Sequence, residues 1–260
     1  MGDSEWVSVL DKALRTKDPG NDSAIDDGEK LIGHSVFARV TNDSTPKIEV
    51  EPASLDPSKP NQLRLLLTHK LPHRNDGEHV IVIGMNPSKA RAFSGRKKRH
   101  TPPGHMPETD ETATIVLRWL ESAALANTKR LTLINLVPII ETESSEVQAL
   151  VNNWTGPCLK CLFRTILTSV LSANENSNTD IRIICAWGNP EKKLWVQDGQ
   201  DWFFEFVKPL LNGGESIAGR LWRLKYGQGG RVPDFPPHPN KNPSLKTGKN
   251  CLIPMPLEHK

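Results

Sequence analysis

Four polar residues stand at places in this chain where chemistry could be done. Asn86 lies in Gly84-Met85-Asn86-Pro87-Ser88, directly after the apolar run Val80–Ile83. Asn135 ends Leu131-Thr132-Leu133-Ile134, Asn189 follows Trp187-Gly188, and His238 sits in Pro237-His238-Pro239-Asn240. An asparagine amide carries an acceptor and two N–H donors at one point, and a buried one must satisfy both kinds of group at once. That suits it to reading the edge of a nucleobase. Each residue alone has an ordinary explanation, because Asn and Pro are turn formers. Three of them at the ends of apolar runs, with His238 in the loop after a fourth, call for a common site.

The elements that must carry them are readable. Val80 to Ile83 are β-branched and apolar without interruption, the pattern of a strand buried on both faces of a parallel sheet. Gly84 ends the run and Pro87 forbids its continuation. Asn86 thus falls on a tight turn at the carboxyl end of a buried strand, where open α/β sheets place their ligands. Leu131–Asn135, Ile181–Trp187 and Arg220–Tyr226 read as three further strands. Helical spacing separates them. One helix, capped by Thr109 or Asp110, buries Val116, Trp119, Leu120, Ala123 and Ala124; a second starts near Ser145. A third, opened by Pro157, carries Leu159, Leu162, Phe163, Ile166, Leu167 and Val170. A fourth runs through Trp202, Phe203, Phe206, Val207, Leu210 and Leu211 to the stop at Gly213-Gly214. The alternation predicts a three-layer α/β/α fold with a central, mostly parallel, four-stranded sheet and helices on both faces. In such a sheet the four polar residues converge on one edge. Residues 1–30 read as a polar segment with a short helix at Trp6–Leu14, and 31–260 as a single domain. Leu31–Val40 and Leu63–Leu71 read as a strand pair peripheral to the main sheet.

Composition narrows the class. The net charge is only +3, but the positive residues are uneven. The insertion 89–108 holds Lys89, Arg91, Arg96, Lys97, Lys98 and Arg99 and no acid before Glu108, and Pro102, Pro103 and Gly104 argue against helix there. It reads either as a solvated loop or as a phosphate-contacting loop beside the strand-end site. No run is long enough to span a membrane. Met1–Leu10 is acidic and lacks the apolar core of a secretory peptide. Four cysteines are too few for a disulfide scaffold of 260 residues, so a reducing, cytoplasmic setting is expected. A monomer is the expected state. Cys158-x-x-Cys161 has metal-ligand spacing, but the pair lies on an apolar-periodic helix and Cys185 lies inside a strand. Core thiols, with neither metal nor cofactor, are the expectation.

The motifs together resemble the uracil-DNA glycosylase superfamily over about residues 80–245. Gly84-Met85-Asn86-Pro87-Ser88 is similar to the G-[IM]-N-P-G first motif of its mismatch-specific and single-strand-selective branches. Leu133-Ile134-Asn135-Leu136-Val137-Pro138 resembles the T-N-L-V stretch of the mismatch-specific branch. Ala186-Trp187-Gly188-Asn189 with Lys192-Lys193 resembles W-G-x-x-A-x-K-K of the uracil-specific branch, and His238-Pro239-Asn240 resembles the His-Pro-Ser second motif. A bacterial and phage family of unknown function with N-P-S, N-L, W-G and H-P signatures is also similar.

The resemblance implies a uracil-DNA glycosylase-like fold and a monofunctional DNA glycosylase. Asn86, or its backbone, would position the water that attacks the sugar C1′, Asn135 would hydrogen-bond the flipped base, and His238 would stabilise the departing base anion. Asp110 is either a helper in water activation or a helix cap. Met85, Ser88, Lys89 and Phe93 would line the base pocket, Phe93 by stacking or else as a core residue. Arg96, Lys97, Lys98, Arg99 and Lys241 would contact DNA, and Leu245 would fill the space the base vacates. The chain departs from the uracil-specific branch in having Asn86 where an aspartate stands, and Ser88-Lys89 where an aromatic excludes groups at the base 5-position. The departures open the substrate to a bulky 5-substituted cytosine, such as the glucosylated hydroxymethylcytosine of some phages, beside uracil. A non-catalytic binder of modified DNA on the same fold, and a hydrolase of free nucleosides, are the competing readings.

Overall fold

The computed structural model describes residues 3–15, 28–41, 46–51, 62–71, 74, 77–87, 95–98, 111–141, 144–175, 180–189, 193–212, 220–224, 236 and 252–255. Among them, nine strands form one mixed sheet with helices on both faces. Its centre is the parallel set β4 (Glu78–Gly84), β6 (Thr128–Asn135), β7 (Ile181–Cys185) and β8 (Leu221–Leu224), in the order β6-β4-β7-β8. The α/β layering and the four parallel strands agree with the sequence pattern. The sheet is nevertheless larger than four strands. The supposed peripheral pair, β1 (Gly28–Val40) and β3 (Gln62–Lys70), is continuous with it, because β3 pairs antiparallel with β6. β2 (Ile48–Glu51) closes one edge, and β9 (Leu252–Pro254), from the Pro-rich tail, closes the other. β3 and most of β6 are buried, and pairing with a strand on each side satisfies the backbone groups of such strands.

β4 is buried at every position. Ile81 and Ile83 join the larger core, under α1 (Asp3–Arg15), α3 (Ser144–Asn152), α4 (Leu159–Glu175) and α5 (Leu194–Asn212). Val80 and Val82 face the other layer, built by α2 (Glu111–Arg118) and the 3-10 turns Trp119–Glu121 and Ala123–Leu125. This split is the alternation of a strand read on two apolar faces. Within the polar segment 1–30, α1 packs into this core. Trp6, Leu10, Ala13 and Leu14 form one stripe of α1 and are buried in the same core as Ile81 and Phe163.

One polar ladder crosses the sheet inside that core. His79 Nε2 lies 2.7 Å from Thr132 Oγ1, Thr132 Oγ1 lies 2.9 Å from Thr68 Oγ1, and Thr68 donates to the Leu131 carbonyl at 3.4 Å. All three side chains are buried. At the amino end of β4, Arg182 Nε pairs with Glu78 Oε2 at 2.9 Å, while burial raises the Glu78 carboxyl above its usual range. That pair holds the sheet edge away from the strand-end motifs.

Candidate functional site

The chain leaves β4 toward β6 on one side and later returns to β7 on the other. Where connections diverge in this way, the loops at the carboxyl ends part and leave a crevice. The turn after β4 lies at this edge and is tied to the segment after β6. Leu136 N donates to Gly84 O at 3.0 Å, Val137 N to Met85 O at 3.2 Å and Glu141 N to Pro87 O at 3.3 Å. Asn86 Nδ2 donates to Glu141 O at 2.7 Å and more weakly to Pro87 O at 3.4 Å. With the amide hydrogens turned onto backbone carbonyls, Oδ1 is the Asn86 atom left to accept a proton from a bound molecule.

Asn135 closes β6 directly beside Gly84. The contact is close: a Cβ at position 84 would lie 2.9 Å from Asn135 Nδ2. Glycine leaves room here for the approach of a side-chain amide, which a Cβ would push back. Asn135 is 5% exposed, and its Oδ1 accepts from Arg64 Nη2 at 3.2 Å. Arg64 arrives from β3, whose first residues are held against the segment after β6 by Arg64 N to Pro138 O at 3.0 Å and Ile140 N to Gln62 O at 2.9 Å. It is 3% exposed, so a guanidinium fixes the orientation of the Asn135 amide from inside the fold. Sequence reasoning missed Arg64. Its signal was a single cation within Leu63-Arg64-Leu65-Leu66-Leu67, a strand taken as peripheral.

β7 supplies the third loop. Ala186 N donates to Ile83 O at 2.8 Å, and Gly188 N to Pro236 O at 2.8 Å. Gly188 has φ 93°, a conformation that favours glycine, and it turns the chain at the strand end. Pro236 is thereby docked at this edge. Trp187 does not enter the crevice. It is sealed in the core, donates from Nε1 to Gln200 Oε1 at 3.0 Å and meets the Phe203 ring edge-on at 5.3 Å between centroids. Lys193, just before α5, was seen in the sequence as part of the Trp187-Gly188 motif but given no role. Its Nζ lies 3.6 Å from Met85 Sδ and 5.7 Å from the centre of the Trp195 ring, and burial lowers its ammonium pKa. It brings a partly desolvated cation to the flank of the β4 turn.

The structure thus brings Met85, Asn86 and Asn135 to one edge, with Arg64 and Lys193 beside them. Ser88, Lys89, Phe93, Arg99, Asp110, His238, Lys241 and Leu245 lie outside the described residues. The basic insertion contains a strand, β5 (Gly95–Lys98), where a loop was expected. In it Arg96, Lys97 and Lys98 stand opposite Lys30, Glu29 and Gly28 of β1. These residues precede Ile32, which is level with Lys70 and so with Arg130 near the start of β6. The backbone of the basic strand therefore lies toward the amino edge, opposite the Asn86 turn, and not beside it as the sequence suggested. The start of β1 extends past β3 and leaves backbone groups to pair, which β5 takes up. Cys158 and Cys161 correct a further expectation: both are exposed at the start of α4, and among the described residues only Cys185 is a core thiol. The apolar stripe of α4 runs through Leu159, Leu162 and Phe163, which leaves Cys158 and Cys161 on the outer side.

No family model matches the chain, and no curated protein and no solved structure matches it. No helix among the described residues is long and apolar enough to cross a membrane.

Proposed function

We propose that this chain is a monofunctional DNA glycosylase of the uracil-DNA glycosylase type, which flips a modified pyrimidine out of DNA and hydrolyses its N-glycosidic bond to leave an abasic site. The observation that carries the reading is the apposition of Gly84, Asn86 and Asn135 at the carboxyl edge, where the strand connections diverge. A base in that crevice would meet the Asn135 amide, held in one orientation by Arg64. Water at the Asn86 Oδ1 would face the sugar C1′. Cleavage gives a cationic sugar and an anionic base, and a fixed donor at the anion is worth roughly 3–4 kcal/mol. His238 is assigned that task by its motif; it stands two residues after Pro236, whose carbonyl is bonded at the same edge. Base access to such a site requires flipping. The motif departures at Ser88 and Lys89 favour a bulky 5-substituted cytosine over uracil and a role in defence against phage DNA.

The bonding of Asn86 supports a second reading. Its amide is committed to Glu141 and Pro87, and Met85, Asn86 and Pro87 include no carboxylate to activate water. A binder of modified DNA would need no such group. One experiment separates the two. The purified chain is incubated with matched oligonucleotides containing uracil, 5-hydroxymethylcytosine or its glucosylated form, and free base and alkali-labile sites are measured. Base release that falls about 100- to 1,000-fold in Asn86→Ala and in His238→Ala, with DNA affinity little changed, is the expected result. Retention of modified DNA without release of base from any substrate would establish the binder instead. Full activity in both variants would refute the assigned roles.

A further inference from the structure

Outside the crevice the molecule carries one pair of nucleophiles that the proposed function does not use. Cys158 is the residue before the first turn of α4, and Cys161 lies within that turn. Both are exposed. The Cys158 Sγ accepts a hydrogen bond from the backbone N–H of Cys161 at 3.3 Å, and its carbonyl accepts from Leu162 N at 2.9 Å. Sulfur thus fills the cap position where Ser, Thr, Asp or Asn is usual. A thiolate gains from that position through the orphan N–H groups and the positive end of the helix. The approach to the pair is braced. Trp154 Nε1 donates to Pro157 O at 2.7 Å, and Gly156 lies so close under the indole that a Cβ there would be 2.5 Å from Trp154 Cζ2. The charges nearby are Lys160, paired with Glu205 at 2.6 Å, and Arg164, whose guanidinium lies 5.7 Å from the centre of the Phe206 ring.

We propose that Cys158 and Cys161 form a redox-active dithiol that exchanges with accessible disulfides, Cys158 attacking and Cys161 resolving. Cys158 Sγ attacks one sulfur of an external disulfide; that S–S bond breaks, and the first thiol leaves. Cys161, losing its proton to solvent, then attacks Cys158 Sγ; the mixed disulfide breaks, and the second thiol leaves. The protein dithiol is oxidised to a disulfide while the external disulfide is reduced to two thiols, so no other oxidant is required. Residues three apart on a helical turn have Cβ atoms about 5–6 Å apart. A disulfide needs roughly 4 Å, so closure asks for a small tightening at the helix start. The two thiols are already differentiated. The hydrogen bonds from Cys161 lower the Cys158 pKa, and the same contact raises that of Cys161. Cys185, fully buried, has its thiol pushed far above the usual range and takes no part.

The test uses the full chain at neutral pH in mixtures of oxidised and reduced glutathione, read by intact mass and by unreduced peptide mapping. The peptide holding both cysteines should lose two hydrogens reversibly as the mixture becomes more oxidising. Cys161→Ser should accumulate glutathione on Cys158, whereas Cys158→Ser should acquire it on Cys161 roughly tenfold more slowly or worse. Both side chains are exposed, so neither change opens a cavity in the core. A wild-type chain that forms no Cys158–Cys161 disulfide, equal rates in the two variants, or bound zinc that blocks exchange would each overturn the proposal.

Discussion

Gly84→Ala tests the geometry of the crevice without any assumption about substrate. The new Cβ would lie 2.9 Å from Asn135 Nδ2, whereas ordinary contact begins at 3.4 Å, so the amide must retreat by the difference, 0.5 Å. The other neighbours, Leu133 Cδ1 at 3.7 Å and Ile134 O at 3.8 Å, are at ordinary distance and need not move. Arg64 restrains the retreat by its 3.2 Å bond to Asn135 Oδ1. Losing a hydrogen bond to a charged group costs roughly 1.5–3 kcal/mol. Driving the side chain off its rotamer costs about 0.5–1.5 kcal/mol, so the second route is taken. Against this, Ala for Gly gains about 0.4–1 kcal/mol by restricting the unfolded chain. The net loss of stability in the native background is therefore small, about 0–1 kcal/mol. In an Asn135→Ala background the methyl group keeps only its ordinary contacts with Leu133 and Ile134, and the same substitution should stabilise by about 0.4–1 kcal/mol. Urea denaturation of the four proteins should give a coupling of about 1 kcal/mol between the sites. Base release by Gly84→Ala should fall roughly tenfold, since displacements of this order misplace reacting groups. Additivity of the two substitutions within about 0.3 kcal/mol would refute the contact and with it the role of Gly84.

Three further outcomes are expected. Burial, with His34 and Arg64 nearby, lowers His69 to about 3, so between that value and its ordinary 6.5 the unfolded chain binds a proton that the folded chain does not. Stability contributed by the neutral imidazole is complete above pH ~6.5 and falls by about 1.4 kcal/mol per unit as pH drops toward ~3. His69→Gln should flatten the urea-derived stability profile over that window, and parallel profiles would contradict it. Thr132→Val keeps the volume but removes the hydroxyl between His79 and Thr68; a loss of about 2–3 kcal/mol is expected, and less than about 0.5 kcal/mol would show that the ladder contributes little. Lys193→Met should lower the salt slope of DNA binding by about one log-log unit, one phosphate contact. Neutralising Arg96, Lys97 and Lys98 in β5, at the opposite edge, should leave that slope nearly unchanged, and the reverse pattern would place the DNA across the basic strand.

The sequence by itself determined the central layer. Three largely apolar runs of β-branched and aliphatic residues and the alternating segment Arg220–Tyr226, separated by helical spacing, dictate parallel strands with helices between them, because local pattern and chain direction leave few alternatives. The turn at Asn86 and the strand-ending Asn135 were legible for the same reason: Gly84 and Pro87 stop a strand by local sterics. The tertiary structure decided what surrounds them. Leu63–Leu67 reads as a strand, but nothing local says that β3 pairs with β6 and delivers Arg64 to Asn135, since pairing partners are chosen over long separations by burial. The basic run was visible as charge, and its place at the amino edge was set by backbone groups on β1 that only the assembled sheet leaves unpaired. The cysteines show the same limit. Their spacing was plain, but helical periodicity carries both the buried and the exposed face of α4, and a step of one residue, about 100°, separates buried Leu159 and Leu162 from exposed Cys158 and Cys161. Which face a helix presents is fixed by what it packs against, and that is a property of the folded molecule.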